Sequence, residues 1–176
     1  YGKEELLNML PPYQGGGEMI KDVSIHKTTY AELPHKFEAG TPNIAGVIAF
    51  KKAIDFIKEV GVENMKEHED LLLNYATLKL EEIPNLSIIG TAAKKSGIIS
   101  FIVSGVHHYD LGLILDKLGV AIRTGHHCTQ PVMKKMNISG TSRISFACYN
   151  TKTELDYTVD CIKKAIKMLS WHAKLN

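Results

Sequence analysis

Arg123-Thr124-Gly125-His126-His127-Cys128-Thr129-Gln130-Pro131-Val132-Met133 is the densest functional text in the 176-residue chain, and the patterns on either side of it decide the fold. Val120 to Arg123 reads as a short strand and the polar residues after it as a loop. Pro131 reads as the opening of a helix, because proline is tolerated in a helix's first turn. Thr141 to Ala147 reads as a further strand. This order puts the Cys128 thiol on a loop between a strand and a helix start. Cations and helix N-termini in such places favour thiolate, the nucleophilic form.

Working outward, His107 to Leu118 has helical spacing, while Leu86 to Ile89 and Ile98 to Val103 are β-branched runs bounded by Gly90, Gly97 and Gly105. Thr151 to about Trp171 reads as a closing amphipathic helix. Two longer helices precede the strands: Ile44 to Val60, with Val47, Ile48, Phe50, Ile54 and Ile57, and Val62 to Glu82, with Met65, Leu72, Tyr75, Leu78 and Leu80. Gly61 separates them and Pro84 stops the second. Farther upstream, Met19 to His26 and Thr28 to Tyr30 suggest a hairpin, and a helix to about Leu10 ends at Pro11-Pro12. Phe37 to Asn43 has turn chemistry, with Gly40 for freedom, Pro42 to fix φ and Asn43 to cap. The resulting expectation is an α+β fold with helices on one face of a small sheet.

Composition narrows the function classes. With 44% hydrophobic residues the chain can bury one core and part of a second. A net charge of +2, with scattered lysines, gives no footprint for nucleic acid. No stretch approaches the roughly 18 apolar residues that a membrane-spanning helix needs. Three cysteines without a CxxC pair argue against a disulfide framework and for a reducing compartment, cytoplasmic or an organelle matrix. The chain opens at Tyr1 without Met, so truncation is expected and the absence of a leader weighs little. Only Arg123 and Arg143, among 21 basic residues, are arginine. A guanidinium belongs where a planar, bidentate carboxylate or phosphate contact is wanted.

Several residues admit blander roles. Cys148 and Cys161 read as structural, and His107-His108 as solvated or capping. Gly15-Gly16-Gly17 reads as a turn or, weakly, a phosphate cradle. A zinc site from His126, His127 and Cys128 with His107 or His108 is disfavoured, since zinc ligands usually lie about two to four residues apart; no metal is expected.

RTGHHCTQPVM followed by SRISFACYNTKTELD closely resembles the C-terminal signature of SufS-type, or group II, cysteine desulfurases of the class V aminotransferase family. YGKEELL, PPYQGGGEMI and FEAGTPNIAG resemble the same family in the same order. The short RTGHHC loop is unlike the longer, serine-rich loop of the group I enzymes. The resemblance implies the small C-terminal domain of a fold type I pyridoxal-phosphate-dependent transferase, with a small antiparallel sheet covered by helices. It divides the chain into 1–42, the end of the large-domain segment with a dimer-interface hairpin; 43–60, a connecting helix; and 61–176, the small domain with the cysteine loop.

By the same resemblance, pyridoxal phosphate stabilises negative charge at the carbon of L-cysteine, and Cys128 takes the sulfur as a persulfide for iron–sulfur cluster assembly, with alanine released. Arg143 is implied as the clamp on the substrate carboxylate, with Arg123 its neighbour. Thr41, with Gly40 allowing approach, is implied as a contact to the cofactor phosphate across a homodimer. The implied partners are a sulfur acceptor of the SufE or SufU kind and, in related enzymes, selenocysteine as a second substrate. The family's cofactor lysine follows a Ser-x-His motif. Ser24-Ile25-His26-Lys27 matches the letters but falls in the hairpin, so the lysine-bearing domain is expected to lie outside this chain, and the chain alone to be inactive. The alternative is a non-catalytic dimerisation or acceptor-docking segment.

Overall fold

The proline pair at 11–12 limits the first helix, α1, to Glu4–Met9. The computed structural model describes residues 1–172, with side chains to residue 170. Its contacts divide the chain into two compact units, Tyr1–Glu59 and Val60–Asn176.

In the first unit, β1 (Ile20–Val23) and β2 (Thr28–Tyr30) form the expected antiparallel hairpin, with Val23 opposite Thr28. Its turn is closed by the Ser24 N–H donating to the Lys27 carbonyl at 2.9 Å, so Lys27 lies in an exposed turn. A 3-10 turn at His35–Phe37 was not foreseen. The long helix α2 (Ile44–Val60) starts where Asn43 Oδ1 accepts the Gly46 N–H at 3.0 Å, the cap expected of Asn43. None of its residues is buried, and Val47, Ile48 and Phe50 are each more than half exposed. Within this unit Met19 alone among the hydrophobic residues is buried.

The second unit opens at Gly61, whose φ of 88° is a left-handed conformation that disfavours a side chain. There follow α3 (Val62–Glu81), β3 (Leu86–Ile89), β4 (Ile98–Val103), α4 (His108–Lys117), β5 (Arg123–Gly125), α5 (Gln130–Met136), β6 (Thr141–Ser145) and α6 (Lys152–His172). The sheet is antiparallel throughout, in the order β3-β4-β6-β5. Alternation along β4 sends Ile99, Phe101 and Val103 into a core shared with Leu72, Ala76 and Leu80 of α3, Leu111 and Leu115 of α4, and Val159, Ile162 and Ala165 of α6. Ser100 and Arg143, directly opposite one another on β4 and β6, lie on the other face. α6 begins at a capping box: Thr151 Oγ1 accepts the Glu154 N–H and Glu154 Oε2 accepts the Thr151 N–H. No described helix is long and apolar enough to cross a membrane.

Two strand boundaries depart from expectation. The run from Val120 seals the exit of α4, with the Val120 N–H donating to the Leu115 carbonyl at 2.9 Å and its side chain buried, so strand pairing begins only at Arg123. β6 ends at Ser145 rather than Ala147, because the Ala147 N–H is taken by Asn150 Oδ1 at 2.9 Å.

Phe101 is fully buried at the centre of this core. Phe101→Ala is expected to cost about 3–5 kcal/mol of unfolding free energy. Urea denaturation would read this as a large fall in midpoint; an unchanged midpoint would contradict the assigned core.

Candidate functional site

Register brings the chain's two arginines together: Arg123 of β5 and Arg143 of β6 are direct cross-strand partners. Like charges placed opposite one another destabilise a sheet. Nothing nearby in sequence offsets them, since the residues between Asp116 and Glu154 include no acid. Neither arginine forms an ion pair among the described residues. Arg143 is half-buried and its Nε is sealed from solvent without a hydrogen-bond partner. A buried guanidinium donor without an acceptor is costly, and a carboxylate or phosphate is the partner its fork fits.

Cys128 is a free, exposed thiol on the loop that leaves β5. Arg123 Nη2 donates to its Sγ at 3.5 Å. The Thr129 N–H donates to the His126 carbonyl at 2.9 Å, closing a tight turn whose central residues, His127 and Cys128, have φ of 53° and 60°. Two positive φ values are the mark of a type I′ turn, normally the province of Gly, Asn and Asp. Left-handed backbone at a residue with a Cβ costs roughly 1–2 kcal/mol. Helix α5, seven residues long, then carries the chain to β6. It is too short for its dipole to matter much, so the cationic influence on Cys128 that the sequence suggested rests on Arg123.

His127 turns its ring to β6, where Nε2 lies 2.8 Å from Thr141 Oγ1 and 3.2 Å from the Thr141 carbonyl. Burial lowers its pKa, and the Arg143 and Arg123 charges lower it further, against the opposing bond to Thr141. The ring is therefore neutral at pH 7. Because folding weakens its proton affinity, His127 favours the folded state above the ordinary histidine range, and that contribution is lost as pH falls through its lowered pKa. His108 is lowered similarly, by burial first and then by His107. His107 caps α4 by accepting the Tyr109 N–H at Nδ1, at 3.4 Å, which matches the bland reading. No group of three His, Cys, Asp or Glu among the described residues is placed to hold a metal ion. Beside the loop runs a groove of about 490 Å³ lined by His126, Gln130, Pro131, Met133, Lys134 and Ile138.

The structure thus brings together Cys128, Arg123 and Arg143, and adds His127, which the sequence offered only as a disfavoured zinc ligand. Gly40 and Thr41 belong to the first unit. There Gly40, at φ 78°, donates its N–H to the Gly17 carbonyl at 2.9 Å, joining the triple-glycine run to the turn before α2. The Thr41 side chain is exposed and the space beside Gly40 is open.

The family description Aminotransferase class-V matches residues 1–158. A probable cysteine desulfurase of Streptomyces coelicolor is 46% identical over 162 residues, covering 91% of this chain and 39% of that protein. A cysteine desulfurase of Wigglesworthia glossinidia brevipalpis is 44% identical over 170 residues, covering 96% of this chain and 41% of that protein. The chain therefore spans about two fifths of the length of the curated relatives it matches. Among solved structures, the cysteine desulfurase CsdA of Escherichia coli superimposes with a TM-score of 0.87 at 35% identity, covering 96% of this chain and 42% of that one. The apo cysteine desulfurase of Thermococcus onnurineus NA1 gives 0.87 at 37% identity, over 95% and 42%. The expected α+β class, a part of that enzyme fold, is what the chain adopts.

Proposed function

The chain belongs to the aminotransferase class-V family, and from that premise we propose that it is the sulfur-accepting part of a pyridoxal-phosphate-dependent cysteine desulfurase. The carrying observation is the Cys128 thiol 3.5 Å from Arg123, which itself pairs across the sheet with Arg143.

L-Cysteine enters with its carboxylate on the half-buried guanidinium of Arg143, which forms no ion pair among the described residues. Pyridoxal phosphate, when bound, supplies an electron sink for the substrate carbon. The residues here fit one end of that group: the open left-handed turn at Gly40 and the exposed Thr41 side chain suit a phosphate. The covalent lysine is expected outside this chain, because Lys27 sits in the β1–β2 turn.

Cys128, as thiolate, attacks the substrate sulfur. The S–S bond forms as the C–S bond breaks, and the carbon keeps the electron pair and takes a proton. The balance is L-cysteine and a thiol giving L-alanine and a persulfide, with no external oxidant. Arg123 steadies the sulfur during this nucleophilic catalysis.

The finer assignment is SufS-type, serving iron–sulfur cluster assembly in a homodimer, with a SufE- or SufU-like acceptor, in a reducing compartment such as the cytoplasm. Support comes from the short RTGHHC loop and three unpaired cysteines. Selenocysteine, with its weaker bond to carbon, suits the same site.

A test is to incubate a protein of the relatives' full length containing this chain with pyridoxal phosphate and L-cysteine, then weigh its peptides. The expected result is one added sulfur atom on the peptide bearing Cys128, with alanine in equal amount. Alanine formed without that mass would refute the assignment.

A further inference from the structure

Building on the reading of Cys128 as sulfur acceptor, we propose that His127 is the positioning residue of that loop: its Nε2–H latches onto Thr141 and so holds Cys128 against Arg123.

The tautomer follows from the partners. The Thr141 carbonyl, 3.2 Å from Nε2, can only accept and the Thr141 hydroxyl, at 2.8 Å, can accept as well, so the proposed latch puts the proton on Nε2. Nδ1, sealed from solvent without a partner, is then a bare lone pair. The anchor is rigid, because Thr141 is buried at 1% exposure and pairs across the sheet with Gly125, the residue from which the loop departs. Gly140 allows the approach: a Cβ there would strike the His108 ring and lie 3.0 Å from the Gly125 carbonyl.

The need for a latch comes from the turn. Consecutive left-handed residues that are not glycine persist only where their surroundings over-determine them. The long contact from exposed Arg123 is a weak restraint on Cys128. The His127 ring is the turn's other side-chain tie, and it reaches the sheet's interior. Released from Thr141, the pair would relax to ordinary φ values and carry the thiol away from the guanidinium.

The experiment compares alkylation of Cys128 by anionic iodoacetate and neutral iodoacetamide, resolved by peptide mass from Cys148 and Cys161. The ratio of the two rates reports a cation near the sulfur and is insensitive to exposure alone. His127→Ala is expected to lower that ratio about fivefold, as loss of one near charge predicts. His127→Gln, whose amide can still donate to Thr141, should keep it. Arg123→Ala should lower it equally, and adding His127→Ala to Arg123→Ala should lower it no further. A folded His127→Ala chain with unchanged ratio, or a glutamine variant falling as far as alanine, overturns the proposal. Should the alanine variant fail to fold, nitrogen NMR of the unsubstituted chain decides: a proton on Nε2 is required, and one on Nδ1 refutes the latch. None of these readouts needs desulfurase turnover, so a chain that meets them yet forms no persulfide at full length would sink only the functional assignment.

Discussion

Replacing Cys128 by serine is expected to lower persulfide and alanine formation on the order of a thousandfold or more, as for other enzymes stripped of their nucleophile. The substrate sulfur must be taken by a polarisable sulfur nucleophile, and a serine hydroxyl is a far poorer one toward sulfur. Substrate binding should survive, because the proposed clamp on the carboxylate is Arg143 rather than the loop. The measurement is alanine release by the full-length protein beside a binding titration with L-cysteine. A serine variant that releases alanine at the original rate would remove Cys128 from the mechanism.

Arg143→Lys is expected to raise KM for L-cysteine about 10- to 100-fold, with a smaller change in kcat. A hydrogen bond to a charged group contributes roughly 1.5–3 kcal/mol, and ammonium cannot reproduce the bidentate fork. Loss of carboxylate binding common to substrate and transition state appears in KM first. Arg123→Lys should disturb KM less, since Arg123 is exposed and turned to the thiol, while Arg143 keeps a buried donor unspent. Steady-state alanine release against cysteine concentration separates the two. Equal KM for wild type and Arg143→Lys would remove the carboxylate clamp.

The long helices α2 and α3, the hairpin and the β3 and β4 runs were legible because period and punctuation are local: Gly61 splits one helical pattern and Pro84 ends it. β5 was misplaced because the apolar residues from Val120 to Ile122 have the composition of a strand but serve to seal α4, a decision made by tertiary packing. Cys128 and the two arginines could be singled out from residue type. Their meeting could not, since the register that sets Arg123 opposite Arg143 is a property of two strands separated by a loop and a helix. His127 was unreadable for the same reason, as its partner Thr141 lies fourteen positions on. One signal stood in the sequence unused: the stretch from Lys117 to Lys152 holds no carboxylate at all.

That stretch makes the site dependent on what is dissolved around it. With no acid in that stretch and no ion pair to either arginine among the described residues, the paired guanidiniums draw counter-ions from solution. Chloride or phosphate in a buffer competes for the same field that guides a substrate carboxylate. Screening sets in within about 10 Å at 0.1 M salt. Apparent affinity for an anionic ligand is therefore a joint property of the protein and its electrolyte, and values compared between ionic strengths describe different competitions.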